Sequence, residues 1–286
     1  VRVAFAMLLM VRGVWTLPVT VDGAPLRLIL DTGAERTLLT EAAVTRLGMT
    51  RDPRHETRTY GFGGLSTTHD AEVISFTIGG AYLPVASVTV GQFALPPVAG
   101  PGGAVALDGL LGADVLSAFD VDLDARAGRL TLYRARDCPD AGPPWAEPAV
   151  SMGQVTLARD RLLVRVALDG VDGLATMDTG AQRSVVGERL AEAAGATQAV
   201  LDQDPIIAAH GAAAQPVPVR LHRFRTLRIG PAVIADPLLP VAPMPEGLGD
   251  GLVGDDFLAG RRLFLGYLSR RVFFTPLATP APATAE

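Results

Sequence analysis

Lysine and asparagine are missing from this chain of 286 residues, and cysteine occurs once, as Cys138. A single thiol forms no intrachain disulfide and builds no cysteine-based zinc site, so the redox compartment stays open. Without asparagine there is no N-glycosylation acceptor, and without lysine there is no phosphate-cradling glycine loop of the lysine-bearing kind. All 25 basic residues are therefore arginine, which we read as codon bias in a GC-rich genome rather than as a phosphate site. Nor is there a dense basic stripe, and the formal charge is -5. A nucleic-acid partner would demand clustered cations against its phosphates, and that class is excluded.

Metal chemistry has equally little to stand on. His55, His69, His210 and His222 show no ligand spacing and read as loop or strand-face residues. Asp114, Asp120, Asp122 and Asp124 resemble cation ligands at alternate positions, but a strand over residues 121–123 is expected to send Asp122 away from its neighbours. Neither a metal nor another cofactor is expected. Gly63-Gly64-Leu65-Ser66 lacks the flanking glycines of a nucleophile elbow. The apolar run from Val3 to Val11, preceded by Arg2, is too short to span a bilayer. It fits either a signal-peptide core or a first β-strand, and no small-x-small cleavage site follows before Trp15. Exported or periplasmic and cytoplasmic locations both stay open.

What is present is a duplication. The chain is 49% hydrophobic and 19% charged, enough to bury a full core. Asp31-Thr32-Gly33-Ala34 closes the apolar run Leu28-Ile29-Leu30, and Asp178-Thr179-Gly180-Ala181 closes Ala175-Thr176-Met177. Asp22-Gly23 lies nine residues before the first motif, and Asp169-Gly170 lies nine before the second. Arg36 aligns with Arg183, and Glu35 with Gln182. Downstream, Asp108-Gly109-Leu110-Leu111-Gly112 and Asp114-Val115-Leu116 are matched by Asp250-Gly251-Leu252-Val253-Gly254 and Asp256-Phe257-Leu258. A repeat this long is a whole domain, so solenoid arrays are excluded. The implied organisation is a first lobe over 15–133, a linker over 134–150 rich in Pro and Gly, a second lobe over 151–275, and a disordered tail over 276–286.

The local patterns are mostly β with short helices. Residues 15–30 read as a hairpin around Asp22-Gly23-Ala24-Pro25. Thr40 is placed to cap a short helix that runs to Leu47 and ends at Gly48, and Glu188 to Ala194 with Gly195 repeats the plan. Further hairpins are expected from Val73–Ile78 with Leu83–Val90, from 121–123 with 129–133, from 221–229 with 233–239, and from 263–267 with 271–274.

The chemistry follows from the two aspartates. One Asp-Thr-Gly at a strand end is ordinarily an Asx turn. Two copies in equivalent settings place Asp31 and Asp178 face to face if the halves pack about a pseudo-twofold axis. Carboxyls that close hold one proton between them. One can then take a proton from water while the other donates to a carbonyl oxygen, which is general acid-base hydrolysis of an amide.

Taken together, these residues resemble the retropepsin-like aspartic peptidases, especially bacterial single-chain members with two tandem Asp-Thr-Gly-Ala domains. The resemblance implies an all-β fold with short helices, built as two retropepsin-like β-barrel lobes related by a pseudo-twofold axis. It implies an aspartic endopeptidase in which Asp31 and Asp178 are catalytic, and Thr32 and Thr179 interlock. Gly33, Ala34, Gly180 and Ala181 support the site, and the Gly-Leu-Leu-Gly and Gly-Leu-Val-Gly segments form strands behind each catalytic turn. Tyr60-Gly61-Phe62-Gly63-Gly64 fits the glycine-rich flap over the substrate, although Tyr60 and Phe62 equally suit ordinary hairpin aromatics. The counterpart near Ala208-Ala209-His210-Gly211-Ala212 matches poorly, so one working flap is expected.

Ala34 and Ala181 stand where many pepsin-type enzymes carry a hydroxyl. Its absence leaves the pair easier to protonate, with a mildly acidic to neutral optimum. Arg36 and Arg183 are expected to brace the lobe interface. Glu35 is either part of a substrate subsite or a solvated side chain. The partner is a peptide or protein substrate, with apolar residues flanking the cut, and the chain should act as a monomeric pseudo-dimer. Two alternatives stay open: a catalytically silent peptide-binding module with the same cleft, and repeats that pair with another chain.

Overall fold

The computed structural model describes residues 1–11, 13–61, 64–91, 98–100, 103–134, 142–209 and 217–277. Cys138, the His210 region and residues 278–286 of the expected tail lie outside the described residues.

Each half is a curled β-sheet lobe, and the two lobes have the same strand order. In the first, the sheet path runs 51–61, 64–72, 87–91, 38–40, 109–111, 24–30, 14–21, 76–78 and 81–83. In the second it runs 206–209, 217–223, 238–242, 185–187, 251–253, 171–177, 161–168, 226–229 and 232–235. A third, six-stranded sheet joins the halves in the order Arg2–Met7, Arg129–Tyr133, Asp120–Asp124, Arg262–Gly266, Arg271–Phe274, Val150–Gln154. The pseudo-twofold relation passes between Asp120–Asp124 and Arg262–Gly266, which pair antiparallel with Asp122 opposite Phe264. Leu28, Leu30, Leu17, Leu162, Val164 and Met177 are fully enclosed in the core beneath the two motif strands.

Local chemistry explains the elements nearest the site. Val21 pairs with Ala24, and Leu168 with Val171, across two-residue turns in which Asp22, Gly23, Asp169 and Gly170 all have positive φ. Such a turn matches the twist of its strands, and Asp and Gly tolerate the left-handed backbone it needs. Thr40 accepts a hydrogen bond from the Ala43 N–H at 3.2 Å and starts the helix Glu41–Leu47, which Gly48 ends in the left-handed region. The helix Glu188–Ala193 repeats this placement, with Gly187 at its start.

Several expectations change. Residues 83–90 are not one strand: Ala81–Leu83 completes the Gly79-Gly80 hairpin, while Ser87–Gly91 leaves it to run parallel to Leu38–Thr40. Pro84, which lacks an N–H, stands at the break. Residues 221–229 divide likewise, the first part pairing with Leu238–Ala242 and the second with Ala232–Ala235. The apolar N-terminal run forms the strands Arg2–Met7 and Leu9–Val11, with Ala4 and Ala6 buried. Asp120, Asp122 and Asp124 share one face of their strand, as a period of two requires, and Asp122 is not turned away from them. Each is satisfied without a metal: Asp120 by the Leu268 N–H, Asp122 by Arg262, and Asp124 by Arg129. Trp145 packs edge-on to Phe264 and beneath the Arg262 guanidinium. Among the described residues, no helix is long and apolar enough to cross a membrane.

Candidate active site

Asp31 and Asp178 end equivalent strands and are anchored in the same way. The Asp31 N–H donates to the Leu111 carbonyl, and the Asp178 N–H to the Val253 carbonyl, each at 3.0 Å. Leu111 and Val253 belong to the short strands Gly109–Leu111 and Gly251–Val253, which run parallel to the motif strands. Behind them, Gly112 and Gly254 touch the turn backbones so closely that a Cβ would stand 2.5 Å from the Arg36 and Arg183 carbonyl carbons. Only glycine admits that approach, which accounts for the repeated hydrophobic-hydrophobic-Gly pattern.

A buried hydroxyl and a more exposed carboxylate clasp each turn from below. Thr37 donates through Oγ1 to Asp114 Oδ1 at 2.7 Å and accepts from the Gly112 N–H at 3.0 Å. Ser184 donates to Asp256 Oδ1 at 2.6 Å and accepts from the Gly254 N–H at 3.1 Å. Neither clasp was anticipated, yet Asp114 and Asp256 align in the duplication, and a hydroxyl residue follows each motif aspartate by six positions.

The turns interlock across the pseudo-twofold axis. Thr32 Oγ1 donates to the Met177 carbonyl at 2.5 Å and accepts from the Thr179 N–H at 3.1 Å. Thr179 Oγ1 donates to the Leu30 carbonyl at 2.7 Å and accepts from the Thr32 N–H at 3.1 Å. Asp31 Oδ1 accepts from the Gly33 and Ala34 N–H groups at 3.0 and 2.9 Å, and Asp178 Oδ1 from Gly180 and Ala181 at 2.9 and 3.1 Å. Eight of the expected site residues thus meet in one place: Asp31, Thr32, Gly33, Ala34, Asp178, Thr179, Gly180 and Ala181.

Each carboxyl lies against the glycine of the opposite turn, Asp178 against Gly33 and Asp31 against Gly180. Burial pushes both above the ordinary value of 3.8, Asp178 well above it, where the charge of Asp31 adds to the effect. Backbone donors from Ala34 and Gly33 oppose the shift at Asp31, and those from Gly180 and Ala181 oppose it at Asp178. Ionising two neighbouring carboxyls that are shielded from water is costly, because it would place like charges together, and that favours one shared proton.

Two further groups lie within electrostatic reach of the pair and escaped sequence reasoning. Arg161 is buried, donates to the Gly247 carbonyl at 3.1 Å and lies 3.8 Å from Glu35. Tyr267 is buried with its hydroxyl unpartnered among the described residues, and burial, then Asp31 and Asp160, raise its pKa. No pattern near either residue connects it to the motifs.

Of the expected flap, Tyr60 and Gly61 end the strand Arg51–Gly61, and Gly64 opens the strand Gly64–Glu72, with Gly61 opposite Gly64. Phe62 and Gly63 lie outside the described residues. Arg36 does not brace the lobe interface. It pairs with Asp70 at 3.0 Å and Asp114 at 3.7 Å inside its own lobe. Arg183 is exposed and makes no ion pair among the described residues. Glu35 does cross between lobes, pairing with Arg159 at 3.5 Å as well as with Arg161.

Two curled β lobes that meet at paired turns, with strands threaded behind each turn, define the bilobed acid-protease fold. Residues 17–115 and 164–257 match the family model described as aspartyl protease, and the chain belongs to that family. It is similar in fold to the aspartic proteinase from Irpex lacteus, with a TM-score of 0.56 at 11% identity over 99% of both chains. No curated protein sequence matches it significantly.

Proposed function

We propose that the protein is an aspartic endopeptidase in which Asp31 and Asp178 activate one water between them. The observation that carries this reading is the pairing of two aspartates, each lying against the glycine of the opposite turn and held by a pair of backbone N–H groups from its own. The ionised partner takes a proton from the water, whose oxygen attacks the substrate carbonyl carbon. The protonated partner gives its proton to the carbonyl oxygen, forming a neutral gem-diol. The carboxyl that took the water's proton then gives it to the amide nitrogen while the other carboxylate takes a gem-diol proton, and the C–N bond breaks to leave a carboxylic acid, an amine and the singly protonated pair. Thr32 and Thr179 keep the turns in register, and the hairpin around Tyr60 to Gly64 covers the bound peptide.

An apolar cluster of Val11 and Leu107 with Leu9, Ile29 and Val105 lies beside the first motif strand, and Ile29 is two residues before Asp31. That supports a preference for hydrophobic residues flanking the cut. The test is digestion of a diverse peptide library by wild type, Asp31→Asn and Asp178→Asn, read by mass spectrometry from acidic to neutral pH. Cuts by wild type that either substitution abolishes are expected. No wild-type cut at any pH would overturn the reading in favour of a peptide-binding cleft.

A further inference from the structure

The two lobes share their topology but differ in what lies beside their motif strands. Leu28 and Leu30 are enclosed in the core, so a period of two puts Ile29 on the other face, the face that Asp31 continues. Ile29 packs there with Leu9, Val11, Val105 and Leu107. Leu9, Ile29 and Val105 are only half-buried, so the cluster still presents apolar surface.

Strand pairing gives the matching positions of the second lobe. Thr16 pairs with both Leu9 and Ile29, as Leu163 does with both Thr156 and Thr176. Val11 and Ala158 enter equivalent turns, pairing with Val14 and Arg161. Asp108 and Asp250 donate their N–H groups to the Arg27 and Leu174 carbonyls at 2.9 and 2.6 Å, and counting back from them matches Val105 and Leu107 with Gly247 and Gly249. Where the first lobe has Leu, Val, Ile, Val and Leu, the second therefore has Thr, Ala, Thr, Gly and Gly. The second lobe is also closed at this place. Thr176 is fully buried and donates through Oγ1 to the Leu248 carbonyl at 2.9 Å, and the Gly247 carbonyl accepts from Arg161 at 3.1 Å.

The first lobe carries more chain here as well. Gly91 and Ala242 are equivalent, pairing with Thr40 and Gly187, yet Asp108 follows Gly91 by 17 positions whereas Asp250 follows Ala242 by eight. The longer connection contains the paired strands Val98–Gly100 and Gly103–Val105, and the second of these supplies Val105 to the cluster.

A peptide cut on the pseudo-twofold axis offers one side of the cut to each lobe's equivalent positions. We propose that the Ile29 cluster selects a large apolar side chain on one side of the cut only, the second lobe making no matching demand. The inference rests on the peptidase reading and narrows its substrate class to peptides with one-sided apolar character.

The experiment scores cut positions in a diverse peptide library for wild type, Ile29→Thr and Val105→Thr. Wild type is expected to favour Leu, Ile, Phe or Met over Ser and Thr by about tenfold at one position on one side of the cut, the scale of a lost apolar contact in a pocket, with no such ratio at the mirrored position. Ile29→Thr installs the residue type that the second lobe already carries there, and Val105→Thr keeps the side-chain shape at a half-buried place, so both should fold. Each should bring the ratio toward parity and leave the other side of the cut unchanged. Equal apolar selectivity on both sides in wild type, or a ratio that neither substitution moves, would overturn the proposal. If wild type cuts nothing, the peptidase reading fails, and fluorescence anisotropy with labelled peptides that differ only in one central Leu or Thr decides the role of the cluster. Tighter binding of the Leu peptide that Ile29→Thr abolishes would support it, and equal or absent binding of the two peptides by wild type would overturn it.

Discussion

Gly33 abuts Asp178: a Cβ on that glycine would fall well inside van der Waals contact distance of the Asp178 carboxyl carbon. Gly180 stands against Asp31 in the same way, with 2.5 Å between a built Cβ and the carboxyl carbon. Each turn therefore supplies, besides its own aspartate, the flat surface on which the opposite carboxyl rests. Neither glycine has a positive φ, so alanine would meet a steric obstacle rather than backbone strain. Gly33→Ala should leave the chain folded while displacing Asp178, and a misplacement near 1 Å costs about 100-fold in rate. Steady-state kcat/KM on the best library peptide checks this, with circular dichroism as the folding control. Near-wild-type turnover would mean that the carboxyl contact is not needed for the chemistry.

Thr32 and Thr179 carry the junction between lobes through four hydrogen bonds. Thr32→Val keeps the shape but strands the Met177 carbonyl and the Thr179 N–H in a buried place. Each stranded group costs about 1–3 kcal/mol, so the variant should lose roughly 2–6 kcal/mol. Thr32→Ser retains the hydroxyl and should lose much less. Urea denaturation of the three proteins decides, and a Val variant as stable as wild type beside a weakened Ser variant would assign the stability to the methyl group instead.

Much of this arrangement is legible in the residues because it is local. The Asp22-Gly23 turn, the Thr40 cap and the Gly48 stop each depend on neighbours within a few positions. The duplication adds the one long-range fact that matters, that Asp31 and Asp178 occupy equivalent ends of equivalent strands. What is not legible depends on partners chosen across the chain. Ser87–Gly91 is apolar enough to continue the Gly79-Gly80 hairpin, and nothing in its pattern says that its partner is Leu38–Thr40. Asp122 reads as one of several strand aspartates until the strands pair and bring Arg262 to it. Arg161 is one arginine among 25, and only the docking of its turn against the other lobe sets it beside Glu35.

Arg262 and Asp122 form the ion pair that spans the joining sheet. Nε donates to Oδ1 at 2.9 Å and NH2 to Oδ2 at 2.8 Å, with Asp122 only 3% exposed. The two-pronged geometry suits a guanidinium, and lysine would make only one of these bonds. Arg262→Gln leaves a buried carboxylate unpaired and should cost about 3–5 kcal/mol. Adding Asp122→Asn should recover a large part of that loss, because the uncompensated charge is gone. A double-mutant cycle measures the coupling. Additive losses would show that the pair contributes through packing against Trp145 alone.

The aspartate pair also sets how stability responds to pH. Burial raises the Asp178 pKa well above its ordinary 3.8, so across the interval from about 3.8 up to the native value the folded chain holds a proton that the unfolded chain has lost. Fewer protons bound in the unfolded state means that stability falls as pH rises through that interval. The contribution is complete below the ordinary value and is lost once pH passes the native one. Asp178→Asn keeps an oxygen to accept from Gly180 and Ala181 but carries no charge to bury. It should therefore abolish cleavage and, at neutral pH, exceed wild type in stability by on the order of 1 kcal/mol, the usual exchange between activity and stability at a strained site. At pH 3 the advantage should vanish, since the wild-type carboxyl is then neutral in both states. Urea midpoints of the two proteins at pH 3 and pH 7 test the argument, and a variant less stable than wild type at pH 7 would mean that the ionised pair, hydrogen bonds included, is favourable where it stands.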